Sequence, residues 1–161
     1  MPRLTGNETE EEQKKKAKLD AMLMLQRMDR TEEQLKRKLQ EKGYSKEAQE
    51  CAIDYVKSYH YIDDVRYASR YIEQNQNRKG KRLIKAELEQ KGVDRSIIEY
   101  CMEDADDCEW DAVTELIKKK TKGQMPQNEK EWQRLYAYCC RRGFSFHTVK
   151  SAIQRWIENN L

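Results

Sequence analysis

The chain has 161 residues with 32 Lys and Arg against 29 Asp and Glu, so 38% of a typical-length domain's positions are these four charged types and the formal net charge is only +3. Leu, Ile, Val and Phe together number 27, about 17% of the chain and below the share usual for a packed globule. Near-balanced charge removes the self-repulsion that keeps polyelectrolytes unfolded, and nine Tyr, three Trp and two Phe supply core material. Such a chain folds with thin cores and much surface, which suits an extended helical array better than a compact globule. No apolar run approaches the roughly 18–20 residues of a membrane span. The start (Met1-Pro2-Arg3-Leu4-Thr5-Gly6-Asn7) has no apolar segment of the kind a secretory signal needs, so a cytoplasmic protein is expected. Five cysteines (Cys51, Cys101, Cys108, Cys139, Cys140) are odd in number and lack C-x-x-C spacing, and read as reduced core thiols. With only His60 and His147 beside them, no metal or other cofactor is expected.

Pro2 and Pro126 are the two prolines, and runs rich in Glu, Lys, Gln, Leu and Ala lie between short breaks, which is helical composition. In chain order the pattern predicts helices over about 8–28, 31–42, 45–59, 63–77, 80–91, 94–105, 109–121, 128–142 and 145–159, with no sheet. Thr31 with Gln34 makes a capping box ahead of Leu35 and Leu39. Ser45, Asp94 and Ser145 each open a new apolar stripe. Asp63 or Asp64 caps the helix that carries Tyr67, Ala68, Tyr71 and Ile72, and Asn128 with Glu131 forms a second box. Gly43, Gly92 and Gly143 stop helices in the left-handed conformation.

These three glycines lie 49 and 51 residues apart, and the same positions recur around each. Leu35, Ile84 and Leu135 stand eight residues before; Leu39, Leu88 and Cys139 stand four before. A base precedes each glycine (Lys42, Lys91, Arg142) and an apolar residue follows it (Tyr44, Val93, Phe144). Further on come Ala52, Cys101 and Ala152, then Ile53, Met102 and Ile153, then Val56, Ala105 and Trp156. The upstream offsets put two apolar side chains on one face of a second helix, and the downstream ones put a matching stripe on a third. The unit is a three-helix module of about 50 residues, near the size at which a core barely offsets chain entropy. The expected organisation is an extension over 1–16 and repeats over 17–60, 61–106 and 107–161. The repeats lean on each other across the short links at 60–62 and 105–108 and build an elongated, curved, all-α array. The longest break, Thr121–Gln127, falls inside the third.

Catalytic motifs are missing: there is no G-x-G-x-x-G, P-loop, G-x-S-x-G or H-E-x-x-H. Asp63-Asp64 reads more simply as a helix cap and a partner for a nearby base such as Arg66 than as a catalytic carboxylate pair. An enzyme is not expected. Charge is strongly patterned instead. Residues 78–91 carry a net +4, Lys118, Lys119, Lys120 and Lys122 another +4, and residues 14–18 hold four lysines, whereas 94–111 carries −7. A basic stripe follows a phosphate backbone, while an acidic face beside it repels bare DNA, so the mixture favours a protein or protein–DNA partner. Tyr59, Tyr61, Tyr67 and Tyr71 either present an aromatic surface to a partner or pack the joint between modules.

The run Tyr61-Ile62-Asp63-Asp64-x-Arg66-Tyr67-Ala68, with Arg78-Lys79-Gly80-Lys81-Arg82-Leu83-Ile84 and Glu87-Leu88-x-x-Lys91-Gly92-Val93, resembles the central motif of the RecX family. Leu35-x-x-x-Leu39-x-x-Lys42-Gly43-Tyr44 and Arg142-Gly143-Phe144 fit the family's outer repeats. The chain departs at His60, where the family usually has glycine, and in the third module, which lacks the acidic-Leu pair. The resemblance implies three tandem three-helix repeats in a regulator of the recombinase RecA. Such a protein binds the RecA filament on single-stranded DNA and inhibits strand exchange, ATP turnover and co-protease activity. Nothing in the sequence demands a dimer, so a monomer is expected, and weak direct DNA binding beside it. On that reading Lys36, Arg37, Lys81, Arg82, Lys85, Lys118, Lys119, Lys120, Arg141 and Arg142 face DNA phosphates or acidic protein. Arg66 is either a contact or a cap partner of Asp63. The alternatives are a helix-turn-helix-like module on duplex DNA and a helical adaptor for an unrelated protein.

Overall fold

A computed structural model describes residues 3–105, 107 and 109–160. Cys108 lies outside the described residues. Among them the secondary structure is nine α-helices and no strand: α1 (Glu10–Arg27), α2 (Glu32–Glu41), α3 (Lys46–Ser58), α4 (Asp64–Asn75), α5 (Lys81–Gln90), α6 (Arg95–Glu103), α7 (Glu109–Thr121), α8 (Glu129–Arg141) and α9 (Phe146–Asn159). No helix is long and apolar enough to cross a membrane, among the described residues.

Short polar side chains open the helices, because the first turn's backbone N–H groups have no partner within the helix. Thr9 with Glu12 and Thr31 with Gln34 form reciprocal capping boxes. Ser45 accepts from the Ala48 amide at 3.1 Å, Asn128 from Glu131 at 2.9 Å and Ser145 from Thr148 at 3.2 Å. The Glu131 carboxylate turns to the Gln127 amide instead of completing a box with Asn128. At the other ends Gly43, Gly92 and Gly143 take φ of +89°, +85° and +93°. In this region a Cβ collides with the following carbonyl, and glycine has none.

The repeated offsets are the core. Leu35, Leu39, Ile84, Leu88, Leu135 and Cys139 are buried, as are Tyr44, Val93 and Phe144 behind the glycines. Ala52, Cys101, Ala152, Ile53, Ile153, Val56 and Trp156 are buried on the third helices, while Met102 and Ala105 are half-buried. Each large aliphatic side chain removed from water contributes about 1.5–3 kcal/mol, so a module with so few of them depends on what it packs against.

The chain folds as two compact units: the residues up to Ala68 with Glu89–Ile97, and Ser69–Leu88 with the chain from Ile98 onwards. The middle repeat thus contributes to both. In the first unit α1, α2 and α3 enclose a cluster that includes Ala21, Met24, Leu35, Leu39, Ala48 and Val56. Buried in it, Asp20 takes Lys42 Nζ at 2.6 Å and the Tyr44 hydroxyl at 3.1 Å. Burial and the Asp20 charge push the Tyr44 hydroxyl well above the usual phenol range. In the second unit α7, α8 and α9 enclose Val113, Ile117, Leu135, Phe144, Val149 and Ile153.

The same joint occurs once in each unit. In the first, the Thr31 hydroxyl before α2 donates to the Lys91 carbonyl at 2.5 Å, and the Glu33 side chain lies over Gly92. In the second, the Gly80 amide before α5 donates to the Arg142 carbonyl at 2.8 Å, and Leu83 lies over Gly143. Thr31 and Gly80 both stand twelve residues ahead of their own stop glycine. The start of one second helix is therefore seated on the end of the next. At Gly43 the covering residue is Leu4. Its arm is held by the Glu8 carboxylate, which takes Lys16 Nζ at 2.7 Å, the Thr5 amide at 2.6 Å and the Gly6 amide at 2.9 Å. Lys16, and then the Thr5 amide, hold that carboxyl far below the usual range.

Candidate functional site

The Asp63-Asp64 pair is structural. Asp63 caps α4 by accepting from the Arg66 amide at 3.2 Å. Asp64 reaches back and accepts from the Glu32 amide at 2.9 Å, capping α2 from outside its own sequence. Partial burial, then the nearby Glu32 and Asp63 charges, raise the Asp64 carboxyl above its ordinary value, against the Glu32 amide and Lys57, which lower it. The Arg66 guanidinium bonds neither carboxylate; Nη1 donates to the His60 carbonyl at 3.2 Å. His60 has φ of +57°, in the left-handed region that favours glycine.

The candidate bases differ in what they touch. On α2, Lys36 and Arg37 are exposed, Arg37 pairing with Glu33 at 3.4 Å. On α5, Lys81 pairs with Asp107 at 3.4 Å, and Arg82 Nη2 donates to the Cys140 carbonyl at 3.3 Å. Arg82 thereby joins Arg141 and Arg142 at the end of α8, where the helix leaves carbonyls that favour cations. Arg142 is half-buried, and its Nε is enclosed without a hydrogen-bond partner. At the end of α7, Lys118 lies 3.8 Å from Glu115, Lys119 is exposed, and Lys120 sits 4.5 Å from the centre of the Tyr138 ring. The exposed side chains of Lys36, Lys85, Lys119 and Arg141 make no ion pair among the described residues. The second unit thus gathers Arg82, Arg141 and Arg142 at one joint and carries the α7 lysines on another helix.

The four tyrosines divide. Tyr67 and Tyr71 are half-buried, Tyr71 donating its hydroxyl to Glu87, and burial raises the Tyr67 hydroxyl. Tyr59 and Tyr61 are exposed and stacked. Tyr55, one turn before Tyr59, packs edge-on against it, and Lys18 lies over the Tyr55 ring. The Tyr55-x-x-x-Tyr59 spacing was the available signal for this pair; the participation of Lys18, on another helix, had none.

Of the cysteines, Cys101 and Cys139 are buried, Cys51 and Cys140 half-buried, and none of these four is in a disulfide. Burial pushes the Cys139 thiol up to about 11, so it is no nucleophile at neutral pH.

Family models described as the first, second and third three-helix domains of RecX match residues 17–55, 63–102 and 107–153. A regulatory protein RecX of Clostridium tetani (strain Massachusetts / E88) is 34% identical over 155 residues, spanning 94% of this chain and 72% of the relative. One of Vibrio campbellii (strain ATCC BAA-1116) is 32% identical over 134 residues, spanning 83% and 86%. The crystal structure of RecX from Lactobacillus salivarius aligns with TM-score 0.79 at 22% identity, covering 89% of this chain and 96% of that one. A second crystal structure, of a regulatory protein RecX, aligns with TM-score 0.81 at 24% identity, covering 89% and 74%. At these identities the structural likeness speaks to the fold, which is shared. With all three helical repeats matched in order, and with relatives above 30% identity along most of their length, the chain belongs to the RecX family of regulatory proteins.

Proposed function

We propose that this protein binds the RecA filament on single-stranded DNA in the cytoplasm and restrains its ATPase, strand-exchange and co-protease activities. Family membership supports the reading, and the observation that carries it is the set of exposed bases free of acidic partners, Lys36, Lys85, Lys119 and Arg141, borne on repeated helices. Side chains left unpaired in the fold are available to phosphates or to acidic protein surfaces. Repeated modules convert several weak contacts into one stable engagement, because each contact after the first is intramolecular. Arg82 and Arg142 serve the joint between repeats as well as any partner, and Lys81 is divided between Asp107 and solvent.

The test is RecA's DNA-dependent ATPase with this protein added below the RecA concentration. The wild-type chain is expected to lower turnover. The double reversal Lys85→Glu with Arg141→Glu, at exposed positions, is expected to weaken the effect about tenfold or more, at unchanged helical content, and the effect is expected to fall with added salt. Unchanged ATP turnover with the wild-type chain refutes the reading.

A further inference from the structure

An aromatic ladder leaves the core at the end of α3, where Tyr55 packs against the first cluster and Tyr59 and Tyr61 are exposed. Tyr55 and Tyr59 lie one turn apart, with ring centres 5.0 Å apart and planes at 61°. After Tyr59 the chain turns through His60 in its left-handed conformation, and this brings Tyr61 back onto Tyr59 with centres 5.7 Å apart and planes at 17°. The turn is fixed from three directions. His60 N donates to the Lys57 carbonyl at 3.0 Å, Tyr61 N donates to the Val56 carbonyl at 2.9 Å, and the Arg66 guanidinium holds the His60 carbonyl. The rings are rigidly presented yet stay in water, Tyr59 at 56% and Tyr61 at 46% exposure.

The ladder has unpaired cations beside it. Lys18 Nζ stands 5.2 Å from the Tyr55 centroid, and neither Lys18 nor the exposed Lys15 has a carboxylate partner among the described residues. Of the acids near it, Asp63 accepts the Arg66 amide and Asp64 the Glu32 amide. A near-parallel pair of exposed rings continued by unpaired cations is how sequence-tolerant binders hold single strands: bases extend the ring stack, and cations follow the phosphates.

We propose that Tyr59 and Tyr61, with Arg66 at the turn between them and Lys18 over the adjoining Tyr55, form a stacking platform for the bases of single-stranded nucleic acid. The ladder acts on the strand itself and requires no RecA, so its failure and that of the filament reading are separable.

The experiment titrates the full chain, without RecA, into a fluorescently labelled thymidine oligonucleotide and into an abasic oligonucleotide of the same length, following anisotropy. Binding to the thymidine strand is expected, with the abasic strand weaker by about tenfold or more. Tyr59→Ala with Tyr61→Ala is expected to erase that difference, while Tyr59→Phe with Tyr61→Phe, which keeps the rings, is expected to retain it. Thermal unfolding of both variants checks that the fold is intact. The proposal is overturned if the wild-type chain does not bind the thymidine strand. It is equally overturned if thymidine and abasic strands bind alike, or if the double alanine variant, folded, still prefers bases.

Discussion

Gly80 donates its amide to the Arg142 carbonyl at 2.8 Å, and the two backbones run so close that a side chain on Gly80 would collide with Gly143 and the Phe144 amide. Gly80 does not have a positive φ, so its requirement is for space and not for backbone freedom. Gly80→Ala should therefore act as overpacking, lowering stability by about 1–3 kcal/mol. Urea denaturation reads this as a lower midpoint at constant slope; an unchanged midpoint would mean that the Arg142–Phe144 turn yields freely.

Thr31 holds the corresponding place in the first unit and is fully buried. Its oxygen accepts from the Gln34 amide at 3.1 Å while its proton goes to the Lys91 carbonyl. Thr31→Val keeps the shape and loses both bonds, taking the Thr31 proton from the Lys91 carbonyl and the cap from a helix N–H, a loss of about 2–4 kcal/mol. Thr31→Ser keeps the hydroxyl and should lose under half of that. Equal losses in the two variants would show that the methyl group, not the hydroxyl, carries the joint.

Asp20 is the buried member of an ion pair whose cation is partly in water. Removing the cation strands the carboxylate, so Lys42→Met should cost about 3–5 kcal/mol. Combining it with Asp20→Leu should return part of that loss, because the desolvation penalty disappears with the charge. Denaturation of the two variants decides; a double variant no more stable than Lys42→Met would show that the Tyr44 hydroxyl depends on Asp20 more than the pair depends on neutrality.

Asp64 gives a pH signature of defined sign. Its carboxyl is raised in the fold, so above that value the folded state carries a penalty that the unfolded state lacks. As pH falls through the folded value toward the ordinary carboxylate value, the folded protein takes up the proton first and is relatively stabilised. Asp64→Asn keeps an acceptor for the Glu32 amide and removes the titration. The variant should be at least as stable as wild type near neutrality, and the wild type should gain on it as pH is lowered to about 4. Denaturation midpoints across that range give the comparison; a wild type that loses ground on acidification reverses the sign and refutes it.

Much of the fold was legible because its determinants are local and repeated. Stop glycines, caps and apolar offsets each report on one turn of helix, and three copies make the period visible. The joints were not legible, since nothing in the spacing of Thr31 announces a bond to a carbonyl sixty residues away, and Gly80 reads as an ordinary break. The basic candidates were found as types but not as surroundings: Lys85 and Arg82 look alike in sequence, yet one stands free and the other is bound to the Cys140 carbonyl. The exposed ladder was half visible. Tyr59 and Tyr61 stood out, but which of the neighbouring tyrosines faced water depended on a left-handed His60 that no periodicity encodes.

Because Thr31 finds its acceptor only in Lys91, the order of synthesis matters to the first repeat. On the ribosome α2 emerges with its opening hydroxyl capping Gln34 but donating only to water, its acceptor at Lys91 not yet made. The amino-terminal unit therefore reaches its final cohesion only after most of the middle repeat has been translated, and a nascent chain halted before Gly92 would be an easy substrate for proteases.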